Sequence, residues 1–239
     1  MIFFMIFFLI PCSSVLAKSA SLNVPSNILS DPFYLLFFLI AIALLPFLAI
    51  MTTSFAKIVI VLSIVRQAIG TSQAPPNIVI ISLSMLLTAF SMYPVITQIE
   101  EVLEKNNYQS ENNAESLKKL FNIGKEPIRE YLSKHAKASN QELFMSVLAK
   151  NSKADAASVS SQDFVILAPA FLISELSHAF QIGFLVYLPF LVIDMTVANI
   201  LMALGMQMLS PTTISLPFKI LLFVLVDGWR LLAEGLTGG

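Results

Sequence analysis

Residues Phe33–Met51 read FYLLFFLIAIALLPFLAIM, nineteen consecutive positions without a charge. Coiled as an α-helix at ~1.5 Å per residue they reach about 28 Å, the thickness of a bilayer's hydrocarbon core. This stretch predicts a first membrane helix, and the composition around it agrees. Of 239 residues, 56% are hydrophobic and 12% charged, with a mean hydropathy of +0.81. A soluble domain carries about 25% charged residues, so this chain requires a different solvent. A second charge-free run, Ile78–Ile99, holds Pro94 near its end, where the missing amide predicts a kink. Two more apolar blocks follow, Phe164–Leu209, interrupted by Glu175, His178 and Asp194, and Leu216–Ala233.

The charges divide the chain. Residues 100–163 hold ten of the 15 acids and nine of the 14 bases, which leaves ten charges for everything else. Within that segment Leu117, Leu120 and Phe121, and again Leu143, Phe144, Val147 and Leu148, have helical spacing. They predict two or three amphipathic helices joined by Asn106–Asn113 and Ser152–Ser161. Before the first membrane helix, residues 1–17 have an apolar core closed by Val15-Leu16-Ala17, the form of a signal peptide. An uncleaved anchor is the alternative, because no Lys or Arg precedes the apolar core. The expected organisation is therefore a signal peptide at 1–17, a membrane block at 18–99, a hydrophilic segment at 100–163 and a second membrane block at 164–239. With the signal removed, the first helix runs inward, Lys57 and Arg66 fall on the cytoplasmic side, and residues 100–163 are periplasmic.

Thr52–Gln73 carries Lys57 and Arg66 nine positions apart, on opposite faces at ~100° per residue, so no polar stripe forms. The stretch predicts a helix buried against other protein. Gly70 and Pro75-Pro76 end it, and Asn77 is placed to cap the next. In the second block Pro211 predicts a hairpin centred on about residue 212, with its turn near 206–215. That register sets Asp194 level with Arg230, an expected pair, and Lys219 level with Gly205. Glu175 has no local partner, so it and Lys219 are left to pair across subunits. Ionised groups facing lipid cost several kcal/mol, so Lys57, Arg66, Glu175, Asp194, Lys219, Asp227 and Arg230 are expected to be buried or to meet other subunits. At the turn, Met206-Gln207-Met208 reads either as filler at a helix end or as a ring of adaptable side chains.

Several chemistries lack residues. The one cysteine, Cys12, follows Ile10-Pro11 instead of the small residues of a lipoprotein signal, and it cannot form a disulfide or a thiolate metal site within the chain. Glu175 and His178 have Glu-x-x-His spacing, but no second copy or further carboxylates accompany them. No hydrolase or nucleotide-binding motif is present. A net charge of −1 gives no field for nucleic acid. Neither an enzyme nor a cofactor is expected.

Long stretches resemble one family. Met51-Thr52-Thr53-Ser54-Phe55-Ala56-Lys57-Ile58-Val59-Ile60-Val61, with Arg66-Gln67-Ala68-Ile69-Gly70 and Pro75-Pro76-Asn77, is similar to the first signature of the FliP/SctR family, the export-gate membrane proteins of bacterial flagella and virulence-type type III secretion. Pro169–Leu176, Ala179–Phe184, Leu188–Asp194 and Ser215–Trp229 resemble it nearly residue for residue.

The resemblance implies an all-α membrane protein of kinked helical hairpins with a periplasmic amphipathic segment, assembling into a helical oligomeric channel for unfolded secreted proteins. It implies a bacterial inner-membrane complex raised toward the periplasm, with about five copies of the chain. Two smaller export-gate membrane proteins, a larger export-gate protein and the secretion base rings are the implied partners. The family's methionine loop, a gasket round the pore, maps onto Met206 and Met208; Gln207 departs from the usual middle methionine. Leu209-Ser210-Pro211-Thr212-Thr213 resembles the virulence branch, whereas a signal peptide is commoner in the flagellar one. The virulence branch is favoured. A proton or small-solute channel, and a structural scaffold, are the readings from other classes.

Overall fold

Proline and glycine set several of the helix ends, Gly70, Pro76 and Pro94 among those the sequence singles out. The computed structural model describes residues 32–71, 74–105, 114–151, 160–206 and 208–238. The predicted signal peptide, the join at 106–113, most of the join at 152–161, the side chains of Leu117, Leu120 and Phe121, and Gln207 lie outside what is described. The described residues are all-helical, without strands. The helices are α1 (Pro32–Thr52), α2 (Phe55–Ile69), α3 (Asn77–Ser91), α4 (Tyr93–Lys105), α5 (Ala114–His135), α6 (Ala138–Asn151), α7 (Phe164–Ala203), α8 (Pro211–Leu225) and α9 (Gly228–Thr237). The expected break beside Pro94 falls at Met92, whose carbonyl accepts the amides of Val95 and Ile96 at 3.0 and 3.1 Å. Asn77 is the first residue of α3 and not its cap; the carbonyl of Pro76 takes the first bonds, from Val79 and Ile80.

α1 is a 21-residue helix without a charge, over the stretch read from sequence as the first membrane helix. α7 is long and apolar enough to cross a membrane, and α3 with α4 adds a further such segment if the pair is one broken span. At ~1.5 Å per residue the 40 residues of α7 reach about 60 Å, twice a hydrocarbon core of about 30 Å.

The chain forms two units. One comprises the residues up to Thr53 with 92–171. Its core gathers Met92, just before α4, Val95 of α4, Tyr131, Leu132 and Ala136 around the end of α5, and Leu167, Ala170 and Phe171 of α7. Tyr131 lies 5.7 Å from the Phe171 ring, and Lys125 and Arg129 lie over Phe164. Here the sequence reading of α6 needs correction: Phe144 packs against this core, but Leu143 and Val147 are 51% and 44% exposed. Phe144 and Leu148, one turn apart, are half-buried, while Leu143 and Val147, the adjoining pair one turn apart, stay exposed, so the apolar face is only partly covered.

The other unit comprises 54–91 and 172 onward. Ile58, Val61, Leu62, Val65 and Ala68 of α2 are buried at its centre, with Ile80 and Leu87 of α3, Ala179 and Phe190 of α7, Phe223 of α8, and Leu232 and Leu236 of α9. Of the stretch 52–73 read as a helix packed on protein, Phe55–Ile69 is that helix; Thr52 ends α1, and residues 72–73 lie outside what is described. An added Cβ at Gly183 would lie 2.4 Å from Ile64 Cδ1, so the missing side chain lets α2 and α7 approach closely. Val226 and Asp227 interrupt the last apolar run. Asp227 adopts the left-handed conformation (φ 51°), and α9 restarts on Gly228, where a Cβ would strike the Phe223 ring.

Candidate functional site at the Met206–Met208 turn

The turn between α7 and α8 is closed by backbone chemistry. Gly205, at φ 74°, follows the last residues of α7; its amide donates to Met202 O (3.0 Å), and the Met206 amide donates to Leu201 O (2.9 Å). These are the two bonds of a Schellman cap, which needs a residue tolerant of positive φ. On the other side Ser210 is extended and Pro211 is the first residue of α8, a position with no amide obligation. The Ser210 carbonyl accepts from Thr213 and Ile214. Backbone groups and Pro211 thus close both helix ends, and the methionine side chains are not needed to do so. Met206 is 49% and Met208 99% exposed.

Proline at the start of α8, not at the turn's midpoint, changes the register predicted from sequence. The hairpin folds about residues 206–207, and Asp194 meets Lys219 at 2.5 Å instead of Arg230. Ser215 Oγ donates to the other oxygen of Asp194 at 2.5 Å. Lys219 is buried and lies beside Gly70, the left-handed C-cap of α2: a Cβ added there would be 3.7 Å from Lys219 Nζ. Arg230 is outside this latch. Its side chain is 71% exposed and bonds Glu234, one turn along α9, at 2.9 Å.

Glu175 has a partner within the chain after all. Lys57 Nζ approaches its Oε2 at 3.4 Å, with both side chains almost fully enclosed. Neither carboxylate oxygen accepts a hydrogen bond in this geometry, so the contact is one of charge. Arg66, at the far end of α2, donates to Asn77 Oδ1 and to Pro75 O and so ties α2 to the start of α3. Among the described residues no group of three or more His, Cys, Asp or Glu side chains is placed to share a metal ion. Glu175 and His178, despite their spacing, do not gather such a set. The sequence reading found Gly70 as the end of α2 but missed the role of Ser215 and the approach of Lys219 to Gly70.

The profile of the FliP family matches residues 38–236. The chain belongs to the FliP family. It is 44% identical over 210 residues to the Yop proteins translocation protein R of Yersinia pestis, covering 87% of this chain and 96% of that one. It is 43% identical over 200 residues to the hypersensitivity response secretion protein HrcR of Ralstonia nicotianae, covering 83% and 92%. It is also 45% identical over 213 residues to the flagellar biosynthetic protein FliP of Bacillus subtilis, covering 89% and 93%. FliP-family relatives named for secretion and for flagella therefore stand at nearly equal identity. The latch residues and the methionine turn lie within the matched span.

Proposed function

We propose that this chain is a core channel-forming subunit of a type III secretion export apparatus, passing unfolded proteins across the bacterial inner membrane. Family membership supports an export role. The observation that carries the channel reading is the exposed Met206 and Met208 pair on a turn whose backbone is already satisfied, at the tip of a hairpin held by Asp194 and Lys219. Unbranched, polarizable side chains on a fixed turn suit a seal that closes on itself and yields around a passing polypeptide. Copies of the chain, about five in a closed or helical arrangement, bring their turns together. Two smaller membrane proteins, a larger export-gate protein and the secretion base rings complete the complex. Residues 100–163 face the periplasm. A helix twice as long as a bilayer core is thick suits an assembly raised out of the membrane on that side.

The virulence-type branch is favoured by the single proline of Ser210-Pro211-Thr212 after the methionines. The flagellar export gate is the second reading, supported by a relative of that kind at equal identity. The test is a complex coexpressed with its neighbouring membrane genes and carrying Met206→Ala with Met208→Ala. Assembly should be unchanged while membrane leakage of ions and small solutes rises. Unchanged permeability removes the seal; lost assembly makes the turn a structural contact instead.

A further inference from the structure

Most charges of the second unit are matched within the chain: Lys57 with Glu175, Lys219 with Asp194, and Arg230 with Glu234. Two of opposite sign are not. Arg66 binds Asn77 and Pro75, both uncharged acceptors. Asp227 has no side-chain capping bond to α9 and no ion-pair partner among the described residues. It is exposed amid Val224, Leu225, Val226 and Trp229, which are also exposed. A lone carboxylate ringed by exposed apolar side chains suits the rim of a protein interface, not a surface bathed in lipid.

The two groups also lie at one level. Lys57–Glu175 and the Ile64–Gly183 contact fix α2 parallel to α7, which sets Arg66 abreast of Leu185. Lys219–Asp194 and the Phe223–Phe190 ring contact fix α8 antiparallel to α7, which sets its last residue, Leu225, abreast of Leu188, with Asp227 in the bend just beyond. Copies arranged side by side around a channel, with little rise between them, would therefore bring these charges to the same height. We propose that Arg66 of one copy pairs with Asp227 of its neighbour, a head-to-tail contact that sets the register of the ring. The proposal rests on the self-assembly read above. It names the occupant of the Asp227 face as a second copy of this chain.

The test uses full-length chain coexpressed with its neighbouring membrane genes, the assembled fraction being read by native mass spectrometry. Arg66→Gln, which keeps hydrogen-bonding capacity toward Asn77, and Asp227→Asn should each lower the assembled fraction about fivefold to tenfold. The double variant should be no worse than the weaker single, because the interaction can be lost only once. Arg66→Glu and Asp227→Lys chains should each assemble poorly alone and recover in part when expressed together, since alternating neighbours restore opposite charges at all junctions but the one that an odd-numbered ring leaves mismatched. Wild-type yield from the single variants, additive losses in the double, or a charge-swapped double chain that recovers where the mixture does not would each overturn the pairing. If wild-type chains are themselves monomeric, the self-assembly reading falls and the pairing with it.

Discussion

Lys57 and Glu175 are the most enclosed opposite charges described in the chain, and their contact lacks supporting hydrogen bonds. Such a pair contributes little net stability over an apolar replacement, yet removing one member leaves the other charge buried alone. Lys57→Met should therefore destabilise the extracted complex by about 3–5 kcal/mol, and adding Glu175→Met should recover most of that. Thermal unfolding in detergent reads both; a Lys57→Met chain as stable as wild type would remove the argument. The second latch gives a sharper contrast. Asp194→Ala leaves the buried ammonium of Lys219 without its carboxylate, at a cost of about 3–5 kcal/mol. Arg230→Ala removes only an exposed pair with Glu234 and should change stability by less than about 0.5 kcal/mol. Equal losses from the two variants would restore the Asp194–Arg230 pairing that the structure displaces.

At the scale of helices, two glycines hold positions that no other residue fits as well. Gly205 sits at φ 74° in the cap of α7, so Gly205→Ala should cost about 1–2 kcal/mol and loosen the methionine turn, read as faster proteolysis there. Gly183→Ala places a methyl against Ile64 and should cost about 1–3 kcal/mol by overpacking, with Ile64→Ala relieving much of it. An undiminished melting temperature for Gly183→Ala would show that α2 and α7 have room to separate. The end of α2 and the start of α3 were legible in the sequence because Gly70 and Pro76 mark them by backbone chemistry alone. Register was not. A proline can occupy a turn or open a helix, and the sequence around Pro211 does not choose. The Schellman cap at Gly205 chooses, by ending α7 early and moving the hairpin's centre several residues toward the N-terminus. The partner of Asp194 changes with that shift. Likewise the pairing of Glu175 with Lys57 joins residues more than a hundred positions apart, which local periodicity does not encode.

At the scale of the molecule, the length of α7 constrains how the chain meets a bilayer. Val165 and Met202 lie near its two ends, both exposed within this single chain. The 37 helical rises from one to the other span about 55 Å, against a hydrocarbon core of about 30 Å. In a Cys12→Ser background, single cysteines at these positions should not both be protected by lipid. A membrane-impermeant maleimide applied to open and sealed vesicles should label at least one of them readily, and protection of both would place α7 wholly within the membrane. The methionine turn has a consequence at this scale too. Because backbone groups of Gly205, Met206 and Ser210, with Pro211, close the ends of α7 and α8, the side chains of Met206 and Met208 are under no obligation to those helix ends. They are the part of the hairpin that selection can rewrite freely, so descendants of one scaffold can acquire apertures suited to different cargo without relearning how to fold.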